Sequence, residues 1–86
     1  MKQVKIYTTS YCPYCKRAKD FLDSVSLPFE EIDVEHNEIL RDELSKKYNW
    51  LTVPMIFVGE NFIGGFDDMF ALHSKGKFLE LFDETL

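Results

Sequence analysis

Apolar side chains recur at two different periods along this chain, and the switches between those periods mark out its elements. Val4-Lys5-Ile6-Tyr7-Thr8 alternates and is rich in β-branched and aromatic residues, which predicts a first strand. Behind Pro13, whose missing N–H costs nothing in a first helical turn, Ala18, Phe21, Leu22 and Val25 recur at helical spacing until Pro28 ends the segment. Phe29 to Val34 reads as a second strand with Phe29, Ile32 and Val34 as its apolar members. Asn37 is a natural N-cap for a helix carrying Ile39, Leu40, Leu44 and Tyr48.

Val53-Pro54-Met55-Ile56-Phe57-Val58 is apolar throughout and reads as a third, central strand. Gly59-Glu60-Asn61 then makes a tight turn into Phe62-Ile63, a hairpin. Gly64-Gly65 breaks the chain, Phe66 to about Ser74 is helical and closed by Gly76, and Lys77 to Phe82 forms a short last helix. The order is β-α-β-α-β-β-α-α. An early βαβ crossover requires parallel pairing and the later hairpin an antiparallel edge, so a four-stranded mixed sheet flanked by helices on both faces accommodates every segment.

Eighty-six residues with 45% hydrophobic content support one small domain, spanning 1–86, around one core. No apolar run approaches the roughly 18 residues that a membrane helix needs, so no membrane association is expected. The first residues enter a strand pattern at once instead of an apolar signal region, which points to a cytoplasmic setting. A net charge of −5 argues against nucleic acid as a partner. That charge is unevenly spread: residues 1–20 carry a net +4, and residues 21–86 a net −9. Either the basic fifth is an ordinary solvated helix face, or it supplies a local field that favours a thiolate and attracts an anionic thiol substrate.

Both cysteines of the chain lie in that basic fifth, as Cys12-Pro13-Tyr14-Cys15. Two Cys at i and i+3 across a first helical turn come within disulfide reach without moving the backbone. So short a loop gains little stability from being closed, which suits a bond that opens and closes rather than a staple. Cys-x-x-Cys beside a βαβ pattern is the sequence sign of a thioredoxin-like redox fold. Cys12, at the helix start, meets unpaired N–H groups and the positive end of the dipole, with Lys16 one turn on. Such surroundings lower a cysteine pKa from about 8.5 into a range of roughly 3.5 to 7.5, making Cys12 the attacking sulfur. Cys15, one turn inside the helix, is expected to be buried and to keep its proton longer, as the resolving thiol. A zinc site would need further ligands from His36 and His73, whose separation fits no finger spacing, so no metal is expected.

Two further segments carry chemistry. Pro54 at the start of a strand cannot donate to a ladder. By itself it suggests a trans bond at a strand edge; if cis, it would turn the Val53 backbone outward to pair with a peptide-like substrate. In Gly64-Gly65-Phe66-Asp67-Asp68, two glycines let the backbone approach a ligand, and a first helical turn offers free N–H groups and carboxylates. Together these could hold a zwitterionic amino-acid head group, although Asp-Asp in a first turn is more often plain capping.

Ile6-Tyr7-Thr8, Cys12-Pro13-Tyr14-Cys15, Thr52-Val53-Pro54 and Ile63-Gly64-Gly65 with Asp67-Asp68, in this order and at these spacings, resemble the dithiol glutaredoxin family, in its small bacterial form, over essentially the whole chain. The resemblance implies glutathione as co-substrate, with Thr52 and Val53 holding its cysteinyl part beside a cis Pro54. It also implies that Gly65, Asp67 and Asp68 hold the γ-glutamyl end and that Tyr14 flanks the sulfurs. The glycine carboxylate usually meets a basic or amide side chain. This chain has Thr9 where many relatives carry Lys, and Asn49-Trp50-Leu51 before Thr52 is uncharged, so Lys16, Lys47 or Arg41 would supply the positive charge. Trp50 is expected either to pack or to touch the rim of the site, packing being favoured.

The same resemblance implies a monomeric glutathione-disulfide oxidoreductase acting on glutathionylated and disulfide-containing proteins. Ribonucleotide reductase is among the clients the family suggests, and recharging would come through glutathione reductase and NADPH. Two other functions share these features: a thioredoxin-like donor reduced by a flavoprotein reductase, and an iron–sulfur cluster carrier using Cys12.

Overall fold

A computed structural model describes residues 3–82. Its elements are β1 (Val4–Thr8), α1 (Pro13–Ser24), β2 (Phe29–Asp33), α2 (Glu38–Tyr48), β3 (Met55–Val58), β4 (Asn61–Gly64) and α3 (Phe66–Ser74), followed by a 3-10 turn at Leu79–Phe82. The strands form one mixed sheet in the order β2-β1-β3-β4. β1 runs parallel to β2 and antiparallel to β3, and β4 returns antiparallel beside β3. The elements follow one another as read from the sequence, and the sheet, with β1 and β3 inside it, is thioredoxin-like.

Several boundaries differ from the sequence reading, β4 among them, which takes in Asn61 and Gly64 on either side of Phe62-Ile63. β2 ends at Asp33, one residue short of Val34. β3 begins at Met55, so Val53 and Pro54 precede the strand; a proline without an N–H cannot take a ladder position. The final helix contracts to the 3-10 turn, because residues 75–78 form a turn around Gly76, whose φ of 71° is left-handed.

Strand alternation sends two sets of side chains to opposite faces. Val4 opposite Val58 and Ile6 opposite Ile56 look into the main core, where Ala18 and Leu22 of α1, Met69 of α3 and Phe78 close over them. Each of these is essentially inaccessible to solvent, and such burial contributes about 1.5–3 kcal/mol per large side chain. Lys5 and Tyr7 point the other way, with Phe57, toward α2. There Tyr7, Tyr48, Phe57 and Phe62 make an aromatic cluster with ring centroids 5.0–5.5 Å apart. No residue of α2 is fully buried. Among the described residues, no helix is long and apolar enough to cross a membrane.

Candidate active site

α1 begins on a cysteine rather than on the usual Ser, Thr, Asp or Asn. Cys12 occupies the N-cap with extended backbone (φ −96°, ψ 110°), and Pro13 takes the first helical position. The Cys12 sulfur accepts the Cys15 backbone N–H at 3.1 Å, doing for the helix what a capping oxygen normally does. No acidic side chain stands in the first turn to offset the positive end of the helix dipole beside that sulfur. Across the site, the Cys12 thiol donates to the Val53 carbonyl at 3.5 Å. Both cysteines are free thiols.

Cys15 is 1% exposed. Burial, and after it the hydrogen-bonded sulfur of Cys12, push its thiol up from 9.0 to about 12. The Thr9 backbone and the Lys19 ammonium pull the other way, more weakly. One sulfur is thus half-buried and aimed at a loop, while the other is enclosed and holds its proton, as the spacing suggested.

Beside Cys12 and Val53 lies a groove of about 520 Å³. Thr52, Val53 and Pro54 form one wall, Gly65, Asp67 and Asp68 another, and Tyr14 the edge nearest the cysteines. The Val53–Pro54 bond is cis. That agrees with the family likeness and corrects the trans bond that Pro54 alone suggested; the isomer is settled by tertiary surroundings that a single proline does not reveal.

The two aspartates have different tasks. Asp68 reaches back to accept the Gly65 N–H at 3.0 Å, so it caps α3 as first-turn carboxylates commonly do. Asp67 stays exposed at the groove. Gly64 makes the cap possible: its φ is +119°, and a Cβ there would stand 2.6 Å from the Asp68 carboxylate oxygen.

Of the basic residues that the sequence reading offered, Lys16 lines a depression together with both cysteines, separate from the groove. Lys47 lies against Tyr48, 5.4 Å from its ring centre, and lines a cavity over the α2 face; Arg41 does not line the groove either. Their spacing along α1 and α2 fixed which helix face they share but not the direction in which that face looks. Arg17, which the sequence reading passed over, sits 5.1 Å above the ring of Tyr14, a residue of the groove. Trp50 packs edge-on against Phe62 at 5.4 Å, as expected, yet also lines the groove with Phe66. Asn49 could have signalled this: it ends α2 in the left-handed conformation (φ 52°), which turns the chain abruptly just before the tryptophan. The histidines stand apart from the cysteines, His36 beside Glu35 at 3.2 Å and His73 against the Phe21 ring at 4.8 Å.

Comparison with known proteins agrees with this geometry. The glutaredoxin family model matches residues 4–63. A glutaredoxin of Pseudomonas aeruginosa is 47% identical over 77 residues, covering 90% of this chain and 92% of that one. Glutaredoxin 3 of Escherichia coli is 43% identical over 76 residues, covering 88% and 92%. Among solved structures, a glutaredoxin from Brucella melitensis superposes with a TM-score of 0.84 at 42% identity, over 94% of this chain and 88% of that one. A buckwheat glutaredoxin–glutathione complex superposes with a TM-score of 0.88 at 25% identity, over 93% and 76%. The chain belongs to the glutaredoxin family, and so to the thiol–disulfide oxidoreductases.

Proposed function

We propose that this protein is a glutathione-dependent reductase of protein–glutathione mixed disulfides and protein disulfides, with Cys12 as nucleophile and Cys15 as resolving thiol. The observation that carries this reading is the groove with Val53 on one wall and the α3 N-terminus on the other, tied to Cys12 by the bond from its thiol to the Val53 carbonyl at 3.5 Å. Glutathione is an extended tripeptide with an amino-acid head at its γ-glutamyl end. Its cysteinyl backbone would pair with Val53 next to Cys12. Its head group would lie against Gly65 and Asp67, where a carboxylate faces an ammonium. Asp68 acts through the shape of that helix start, since its carboxylate is already occupied by the Gly65 N–H. Tyr14 and Thr52 would bound the ligand, and its remaining carboxylate would meet Arg17, held over Tyr14, or Lys16, beside the cysteines.

In the one-thiol reaction the Cys12 thiolate attacks the glutathione sulfur of a mixed disulfide. The protein–sulfur bond breaks, the protein thiolate leaves and takes a proton, and Cys12 carries glutathione. A second glutathione thiolate attacks that sulfur, releasing oxidised glutathione and restoring Cys12. With a protein disulfide, Cys12 forms the mixed disulfide with the client. Cys15 then loses its proton and attacks the Cys12 sulfur, leaving Cys12–Cys15 oxidised and the client reduced by two electrons.

Turnover of the mixed disulfide of glutathione and 2-hydroxyethanethiol, coupled to glutathione reductase and NADPH, tests the assignment. Wild type should turn over, Cys12→Ser should fall to background, and Cys15→Ser should keep this reaction while losing reduction of a protein disulfide. Wild-type inactivity here, with reduction by thioredoxin reductase instead, would replace glutathione by a flavoprotein donor. Full protein-disulfide reduction by Cys15→Ser would end the division of labour.

A further inference from the structure

We propose that Lys19, clamped by Glu31 and Thr8, is a positioning residue for Cys15, steadying the negative charge its sulfur must acquire to attack the Cys12 mixed disulfide. The inference rests on the two-thiol exchange proposed for this site. It concerns the second step, for which the groove offers nothing, because a buried thiol has to ionise away from solvent.

Lys19 stands four residues beyond Cys15 on α1, so the two share one helix face. Both line a depression of about 420 Å³, separate from the groove, that Cys12 lines as well. A lysine free in solvent would gain little from facing this depression, since its four-carbon stem samples many rotamers. This one is fixed. Its ammonium meets Oε2 of Glu31, on β2, at 3.0 Å, and the Thr8 hydroxyl at the end of β1 donates to that same oxygen at 2.6 Å. Those two bonds, the Thr8 hydroxyl first, hold the Glu31 carboxyl below its usual range and keep it charged to grip Lys19. Thr8 is 1% exposed, so the clamp is anchored in the sheet.

Lys16, Asp20 and Asp23 also face the depression from α1. Lys19 draws the Cys15 thiol toward its charged form, against the burial and the Cys12 sulfur that oppose it. When Cys12 is bonded to a substrate it no longer competes as a nearby anion, and the lysine field acts on Cys15 alone.

Stoichiometric reaction with 5,5′-dithiobis(2-nitrobenzoate), which needs no glutathione, separates the steps. The Cys12 thiolate attacks the reagent and releases one nitrothiobenzoate. Cys15 then gives its proton to buffer base, and its thiolate attacks the Cys12 sulfur. Cys12–Cys15 forms and the second nitrothiobenzoate leaves. The slow phase, followed across pH, reports Cys15.

Raising a thiol pKa by one unit cuts its thiolate fraction about tenfold and raises its intrinsic nucleophilicity roughly threefold. Lys19→Met should therefore slow the second phase about threefold near neutral pH and move its pH profile upward. Lys19→Arg, which keeps the charge, should stay within about twofold of wild type. A second phase unchanged in Lys19→Met, or slowed as much in Lys19→Arg, would overturn the proposal. Absence of the first phase in wild type would remove Cys12 as the nucleophile, and this proposal with it.

Discussion

Cys12 and Cys15 are the same chemical group three residues apart, and their environments separate them. Cys12 sits where helix N–H groups point, half open to solvent, while Cys15 is packed under α1 at 1% exposure. The thermodynamic consequence belongs to Cys15. The folded protein holds its proton up to about 12, whereas the unfolded thiol ionises near 9.0. Between those values the unfolded chain binds fewer protons than the native one, so this thiol makes stability fall as pH rises. Below the unfolded value both states are protonated and the contribution is constant. Urea unfolding of the reduced protein at pH 7 and pH 10 should show a larger loss for wild type than for Cys15→Ser. Equal losses would mean that burial does not hold this proton.

The helices divide between those that carry the core and one that covers a surface. α1 and α3 each place fully buried side chains in the main cluster. α2 has well-formed ends: the Asn37 side chain accepts the Leu40 N–H at 3.1 Å, Lys46 and Lys47 face the negative end of the dipole, and Asn49 closes the last turn. It buries no residue fully, and Ile39 is 75% exposed. Caps sharpen where a helix starts and stops, but resistance to local opening comes from packing. Backbone amides at 41–47 should therefore exchange with deuterium at least about tenfold faster than those at 17–22 in α1. Equal protection would show that the aromatic cluster under Tyr48 anchors α2 as firmly as the main core anchors α1.

At the scale of the whole molecule, side chains from outside the regular elements complete the core, and Phe78 is the largest of them. Phe78 follows the turn after α3, is 0% exposed, and meets Phe21 of α1 at 6.0 Å. Phe78→Ala should cost about 3–5 kcal/mol, a large share of the stability of so small a protein. A shift in the denaturation midpoint equivalent to less than about 1 kcal/mol would mean that the core closes over the gap. The sequence by itself determined the strand and helix periods, the helix starts at Cys12 and Asn37, the glycine break at 64–65 and the unequal surroundings of the two sulfurs. All of these are set by interactions over a few residues. It could not place a cation relative to a groove: Lys16 and Lys19 share a separate depression with the cysteines, Lys47 turns to the α2 face, and Arg17 lies over Tyr14. Nor could it bring Val53 to a sulfur 41 residues away or set Trp50 into the groove wall. Tertiary structure decided those placements, because they depend on sheet register and on the crossing of helices over it, which no local spacing encodes.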